Sequence, residues 1–293
     1  MAFLTLYIVW GSTYLAIRIG VQHLPPLLFA GARWLVAGAA LLVYARMRGD
    51  AWPRAGREWR IMAVVGPLLI VGGNGLVVFG ERWVESGLAA LIVATTALWI
   101  AGLGSLGRQG EAVGTQAGLG LSIGFAGVVL LMWPTTTTPK LHLLGEFLIA
   151  LAAFLWAFGT IYARRAQPRT PVVMATAIQS LLGGGILTVM GVAAGETGAW
   201  QWQFDGLAAL VYLTVFGTLG FFAYLWLMHH TTPAKLGTYA YVNPAIAVML
   251  GGFLLDESLS GRQWIGTAVI LAGVALVTTA KSQPQPQADE SPA

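Results

Sequence analysis

The sequence contains no cysteine, which excludes disulfide bridges and thiolate metal sites. It is also poor in charge. Only 10% of its 293 residues are Asp, Glu, Lys or Arg, against about 25% in an ordinary soluble domain. Such a chain cannot cover a water-facing surface of its size with ionised groups, whereas a surface that faces lipid asks for none. Titrating groups are scarcer still at depth. Asp50, Glu58, Glu81, Glu85, Glu111, Glu146, Glu196, Asp205, Asp256 and Glu257 stand at the ends of apolar runs or between them, and no Asp, Glu or His falls mid-run. His229-His230 sits at a run boundary and reads as interface rather than metal site. The sequence offers no nucleotide-binding loop, metal-ligand constellation or nucleophile-base pair. The expectation is a protein without cofactor or metal, and not an enzyme. The net charge of +4 does not point to nucleic acid, because the arginines lie between apolar runs and form no stripe on a folded face.

What is present is apolar. The chain is 57% hydrophobic with 38 glycines, the small residues through which membrane helices pack closely. At about 1.5 Å per residue, about 20 residues cross the 30 Å hydrocarbon layer. Ten runs of that length are predicted, near 2–21, 26–45, 60–79, 85–105, 113–133, 143–163, 172–194, 206–228, 233–254 and 262–280. The first carries no basic leader and no clear small-x-small site, and ends with Arg18, so it reads as a span rather than a signal peptide. The Pro/Gln-rich tail, 281–293, is expected to be disordered.

Lys and Arg placement sets the orientation. With the N-terminus inside, eleven of them (Arg46, Arg48, Arg54, Arg57, Arg60, Arg108, Arg164, Arg165, Arg169, Lys235, Lys281) fall on the cytoplasmic side. Four (Arg18, Arg82, Lys140, Arg262) fall opposite. Both termini are therefore expected in the cytoplasm, with the chain multi-pass in the inner (plasma) membrane.

The chain also repeats itself. Trp10, Tyr14 and Arg18 match Trp156, Thr160 and Arg164 at an offset of 146, and Arg33 matches Gln179 at the same offset. Ala97 and Gly118 match Ala245 and Gly266 at an offset of 148. Five spans per repeat is an odd number, so the halves must point opposite ways. The predicted fold is an all-α integral membrane protein, ten transmembrane helices as two inverted five-helix repeats around a central cavity. The repeats would be 1–133 and 143–280, joined by a linker at 134–142. Inverted repeats of this kind characterise secondary transporters.

Several motifs then carry a resemblance. Trp10-Gly11-Ser12-Thr13-Tyr14 resembles the opening of the EamA family of the drug/metabolite transporter superfamily, and Ala32-Arg33-Trp34 its second-span arginine. Asn243-Pro244, Leu255-Asp256-Glu257-Ser258-Leu259 and Gln263-Trp264-Ile265-Gly266 resemble its ending. The first half reads Thr95-Thr96-Ala97 where the second reads Asn243-Pro244-Ala245, so a proline break is expected in the second half alone. The resemblance implies a basket in which spans one to four and six to nine line a cavity while five and ten stand outside. It also implies export of small metabolites, and the cavity aromatics resemble those of YddG-type aromatic amino-acid exporters.

The candidate substrate-binding residues are Trp10, Tyr14, Arg33, Asn74, Trp99, Trp156, Gln179, Tyr224, Tyr239 and Asn243. Arg33 lies about two turns inside the membrane, where a charge costs at least about 2.5–3.5 kcal/mol. It either captures a substrate carboxylate or serves the scaffold by bonding carbonyls or snorkelling. The mid-span aromatics, with Tyr162 and Tyr241, either wall a cavity that stacks flat or cationic groups or pack between helices. Asn74 and Gln179 bond either a substrate or a neighbouring helix. Gly72, Gly73, Gly217 and Gly220 are the expected points of bending.

The expected partners are a small-molecule substrate and the lipid bilayer. The expected function is export of small metabolites, amino acids foremost, by facilitated alternating access. A multidrug or metabolite exporter coupled to protons is the alternative. A membrane enzyme would cluster His or acids at one face, and a scaffold would need no inverted repeat.

Overall fold

Each of the ten predicted spans is helical over its described residues in the computed structural model, which describes residues 2–106, 114–133, 139–230 and 239–280. The helices are α1 (Ala2–His23), α2 (Pro26–Met47), α3 (Gly56–Gly80), α4 (Ser86–Gly104), α5 (Thr115–Leu131), α6 (Lys140–Ala166), α7 (Val172–Ala193), α8 (Phe204–His230), α9 (Tyr239–Leu255) and α10 (Gly261–Thr279). Seven are long and apolar enough to cross a membrane, and α5 with parts of α8 and α9 form shorter apolar helices. No strand occurs among the described residues. The 281–293 tail and part of the 134–142 linker lie outside them.

The outward surface of the bundle is apolar. Val189 is 69% exposed and Phe253 81%, and Val36, Val43, Leu119, Phe147 and Val211 are exposed too. A patch of this extent would be untenable in water and is what lipid solvates.

Helix contacts trace a closed ring in the order α1, α8, α2, α7, α3, α6, α4, α9 and back to α1. Helices α5 and α10 pair chiefly with each other and touch the ring at α4 and α9. Exchanging each helix for the one five places on maps this pattern onto itself: α1–α8 becomes α6–α3, and α1–α9 becomes α6–α4. The self-paired helices run antiparallel. Gly31 of α2 meets Gly184 and Thr188 of α7, while Gly38 meets Ser180 and Leu181. In the outer pair, Gly120 and Gly124 meet Gly273, and Gly127 meets Ile270. Glycine is required at Gly273, because a Cβ there would lie 2.5 Å from the Gly124 backbone.

Three helix ends are capped in trans by carboxylates, which supply acceptors to orphan N–H groups and negative charge to the positive end of the dipole. Glu196 accepts from the Leu27 and Leu28 amides at 3.3 and 2.9 Å at the start of α2. Glu58 accepts from the Arg169 and Thr170 amides at 3.0 and 3.1 Å, just before α7. Glu257 accepts from the Ser86 and Gly87 amides at 3.0 and 3.2 Å and from the Ser86 hydroxyl at 2.7 Å, at the start of α4. Helix α10 is capped in cis by a reciprocal Ser260–Gln263 box.

Two expectations about helix continuity are corrected. Helix α9 runs unbroken through Pro244, which lies inside it and forgoes one i→i−4 bond, to the Ala240 carbonyl. The interruption falls instead in the first half, where α4 breaks at Thr95 and the Thr95 hydroxyl bonds the Ile92 carbonyl at 2.6 Å. Helix α3 widens to π-helical winding over Pro67–Gly75, the stretch that holds Gly72-Gly73-Asn74-Gly75. Proline removes one N–H and glycine tolerates the altered winding, so the ladder re-registers without breaking.

Candidate functional site

The predicted residues fall into separate groups. On α1 and α9, Trp10 meets Tyr239 edge to face with centroids 5.4 Å apart. Tyr14, one turn further along α1, lies within electrostatic reach of Tyr239 and of Glu81. Asn243 is buried, its Oδ1 has no hydrogen-bond partner among the described residues, and its main chain adjoins Gly11. This end of the α1–α9 seam is therefore aromatic, polar and incompletely satisfied.

The second group is repeat-related to the first. Trp156 of α6 rests on Gly73 of α3, where a Cβ would lie 2.6 Å from Cε3. Trp10 rests in the same way on Gly220 of α8, where a Cβ would lie 2.8 Å from its Cδ1 and Nε1. Asn74 neighbours the first of these contacts in sequence and is half-buried. Gln179 is half-buried on α7, where its backbone packs against Gly66 of α3.

Arg33 is buried at 8% exposure on α2. Its guanidinium lies 4.8 Å from the Trp34 ring centroid and points toward Gly217 of α8. Its Nη1 has no hydrogen-bond partner among the described residues. A buried guanidinium with an unbonded Nη1 has an N–H available to an anion such as a carboxylate. A groove of about 330 Å³ follows the same α2–α8 seam, lined by Ala40, Leu41, Tyr44 and Thr218. Ala40 is two helical turns from Arg33, so both lie along one face of α2.

Trp99 joins none of these groups. It packs edge to face on Phe125 of α5 at 4.5 Å and on Phe154 of α6 at 5.1 Å, as a wedge between helices. The side chains of Tyr224 and Tyr241 lie outside the described residues.

The sequence places Arg18, Glu81 and Glu257 at the ends of apolar runs and names Glu81 as a helix-end titrating group, but does not show the cluster they form. Helices α1, α3 and α9 end at the same face, and there Arg18, Glu81 and Glu257 meet. The Arg18 guanidinium donates to the Glu81 carbonyl and lies 4.0 Å from the Glu257 carboxylate. Glu81 is 0% exposed, and neither carboxylate oxygen has a hydrogen-bond partner among the described residues. Burial holds its carboxyl well above the usual carboxylate range, and Glu257 adds to the shift while Arg18 opposes it. A second polar group sits nearby, with His142 3.2 Å from Glu146 and 4.0 Å from Glu85, and bonded to the Trp83 carbonyl at 2.9 Å. The available signal was topological, since equal span lengths put the ends of odd-numbered helices at one face.

A ring of eight apolar helices around buried polar and aromatic groups, with an antiparallel pair outside, defines a polytopic membrane protein of inverted design. A model of the EamA-like transporter family matches residues 1–133 and again 143–279, and the chain belongs to this family of transporters. It is 38% identical over 283 residues to the Escherichia coli K12 protein named "Uncharacterized inner membrane transporter YedA", covering 96% of this chain and 90% of that one. It is 25% identical over 291 residues to an E. coli K12 protein named "Probable amino-acid metabolite efflux pump", covering 92% and 91%. A solved crystal structure with 22% identity shares the fold at a TM-score of 0.67, over 94% of this chain and 96% of that one.

Proposed function

We propose that this transporter exports small metabolites from the cytoplasm across the inner membrane, amino acids with aromatic or apolar side chains foremost. The observation that carries the reading is Arg33, a buried guanidinium with an unbonded Nη1 on the seam that holds the α2–α8 groove. Arg33 takes the substrate carboxylate, while Trp10, Tyr14 and Tyr239, and across the repeat Trp156 with Asn74 and Gln179, present the flat and amide surfaces that receive its side chain. Tyr224 and Asn243 complete the proposed lining, and Trp99 contributes as a packing wedge. The relative named as an amino-acid metabolite efflux pump supports the substrate class.

Residues 1–133 and 143–280 act as the two halves, both termini lie in the cytoplasm, and the halves rock about the common site to expose it alternately. The lack of mid-span titrating groups favours facilitated movement down the solute gradient. A second reading, exchange against protons, is favoured by one observation, the enclosed and unbonded carboxyl of Glu81.

The test is uptake of a panel of labelled amino acids into liposomes that contain this protein alone. Aromatic and apolar amino acids should enter well above the rate of empty liposomes, and the same solutes lacking the carboxylate should not. Equal entry of the decarboxylated amines would remove Arg33 from recognition.

A further inference from the structure

We propose that Glu81 is a proton-binding site, and that its occupancy decides whether Arg18 holds the Glu257 end of the bundle shut. The inference goes beyond substrate recognition and rests on the reading of the chain as a carrier with two alternating ends.

The charge balance at the cluster is the starting point. Arg18 and Glu257 form a neutral pair, with Nε and Oε1 4.0 Å apart. The Glu257 carboxylate already accepts from three donors at the start of α4, the Ser86 amide and hydroxyl and the Gly87 amide. Glu81 adds a second carboxyl with no exposure and, among the described residues, no donor on either oxygen. As an anion it would bring an uncompensated charge into an enclosed space, and a carboxyl so placed takes up a proton instead.

The surrounding groups do not supply the missing charge. From α1, Arg18 spends one N–H on the Glu81 main-chain carbonyl, and Tyr14 is within reach through its hydroxyl. From the segment after α9, Glu257 is an anion of the same sign, and Tyr239 of α9 stands beside Tyr14. From α6, His142 is engaged with Glu146 and Glu85, and from the α3–α4 turn the Trp83 carbonyl takes the other His142 nitrogen.

Arg18 thus has two carboxylates within its sweep and one guanidinium to share. While Glu81 is protonated, Arg18 stays with Glu257 and ties α1 to the α4 cap and the end of α9. When the Glu81 O–H gives its proton to water, the carboxylate competes for Arg18, the tie to Glu257 weakens, and this end is free to open. The only step is transfer of one proton between the Glu81 carboxyl and water at that end, with no other bond made or broken.

The test uses the purified full-length protein and the proton itself as ligand. Infrared difference spectra across a pH titration should show a protonated-carboxyl stretch that persists above the ordinary carboxylate range. Glu81→Gln should abolish the band and Glu146→Gln should retain it. If the Gln variant does not accumulate, Glu81→Asp should displace the band. Val84 is 0% exposed beside the cluster, so maleimide labelling of Val84→Cys reports opening. Divided by the rate of the exposed control Gln201→Cys at the same pH, which removes the thiolate's own titration, its rate should rise with pH when Glu81 is present and be flat with Glu81→Gln. A band that titrates with ordinary carboxylates, a band unchanged by Glu81 substitution, or a labelling rate that, relative to the exposed control, ignores pH in the native background would overturn the proposal. None of these readouts needs a transported solute, so their failure is distinct from failure of the amino-acid reading.

Discussion

Trp156 lies on Gly73 with no room between them for a Cβ, and the repeat-related Trp10 lies on Gly220 in the same way. Each tryptophan of one half is seated on a glycine of the other. The glycines expected to supply bending therefore also fix the distance at which the halves meet.

This relationship predicts opposite effects of alanine at different glycines. At Gly73 or Gly220 it overpacks the contact and should destabilise by about 1–3 kcal/mol, with transport lost in both variants. At Gly185 of α7 nothing lies within 4 Å of the added Cβ. There the gain in helix propensity should stabilise by about 0.5–1 kcal/mol. Denaturant titration in detergent measures both.

Arg33→Ala should leave the fold intact and weaken carboxylate-bearing solutes by on the order of 10- to 100-fold, the range for a lost charge-assisted hydrogen bond of about 1.5–3 kcal/mol. Arg33→Lys should recover part of that loss, because it keeps the charge without the planar fork. Affinity is read from competition for uptake, and folding from gel filtration. If the Ala variant loses folded protein and transport in proportion, Arg33 belongs to the scaffold.

Glu257→Ala removes the acceptor of three donors at the start of α4 and releases Arg18. It should destabilise by about 1–3 kcal/mol, as expected when buried donors lose their acceptor. Glu196→Ala leaves two amides of α2 uncapped and should cost about 1 kcal/mol. Thermal unfolding in detergent ranks the two, and an unaffected Glu257→Ala would show that the trans-cap is dispensable.

The orientation is testable without background, because the chain has no cysteine of its own. A single cysteine at Arg54 should react with impermeant reagent only from the cytoplasmic side, and one at Gln201 only from the other. Reversed labelling would overturn the proposed placement of both termini.

The helices were legible because each is written as one long apolar run, and over the described residues every predicted span lies within a few residues of its helix. The α1/α6 correspondence was legible in Trp10 and Trp156 for the same reason, since like positions in the two halves have like neighbours. The helix interruption was misplaced because one proline removes a single N–H and does not by itself end a helix, whereas Thr95-Thr96 carries no obvious breaker. Trp99 read as a cavity residue because depth in the span is visible in sequence while the face of the helix is not. Glu81 was placed at a helix end, correctly, but enclosure depends on what packs over that end. Arg18 and Glu257 are far from it in sequence and meet it only through the ring of helices.

The most direct test of the central claim is counterflow. Liposomes containing the protein are loaded with unlabelled phenylalanine and placed in a trace of the labelled amino acid, at equal pH inside and out. A carrier that exposes one site alternately should draw label inward to a transient excess over the level in unloaded liposomes, and Arg33→Ala should suppress it. Label that enters at the same rate whether or not the liposomes are loaded, as through an open pore, or no faster than into empty liposomes, would contradict the account.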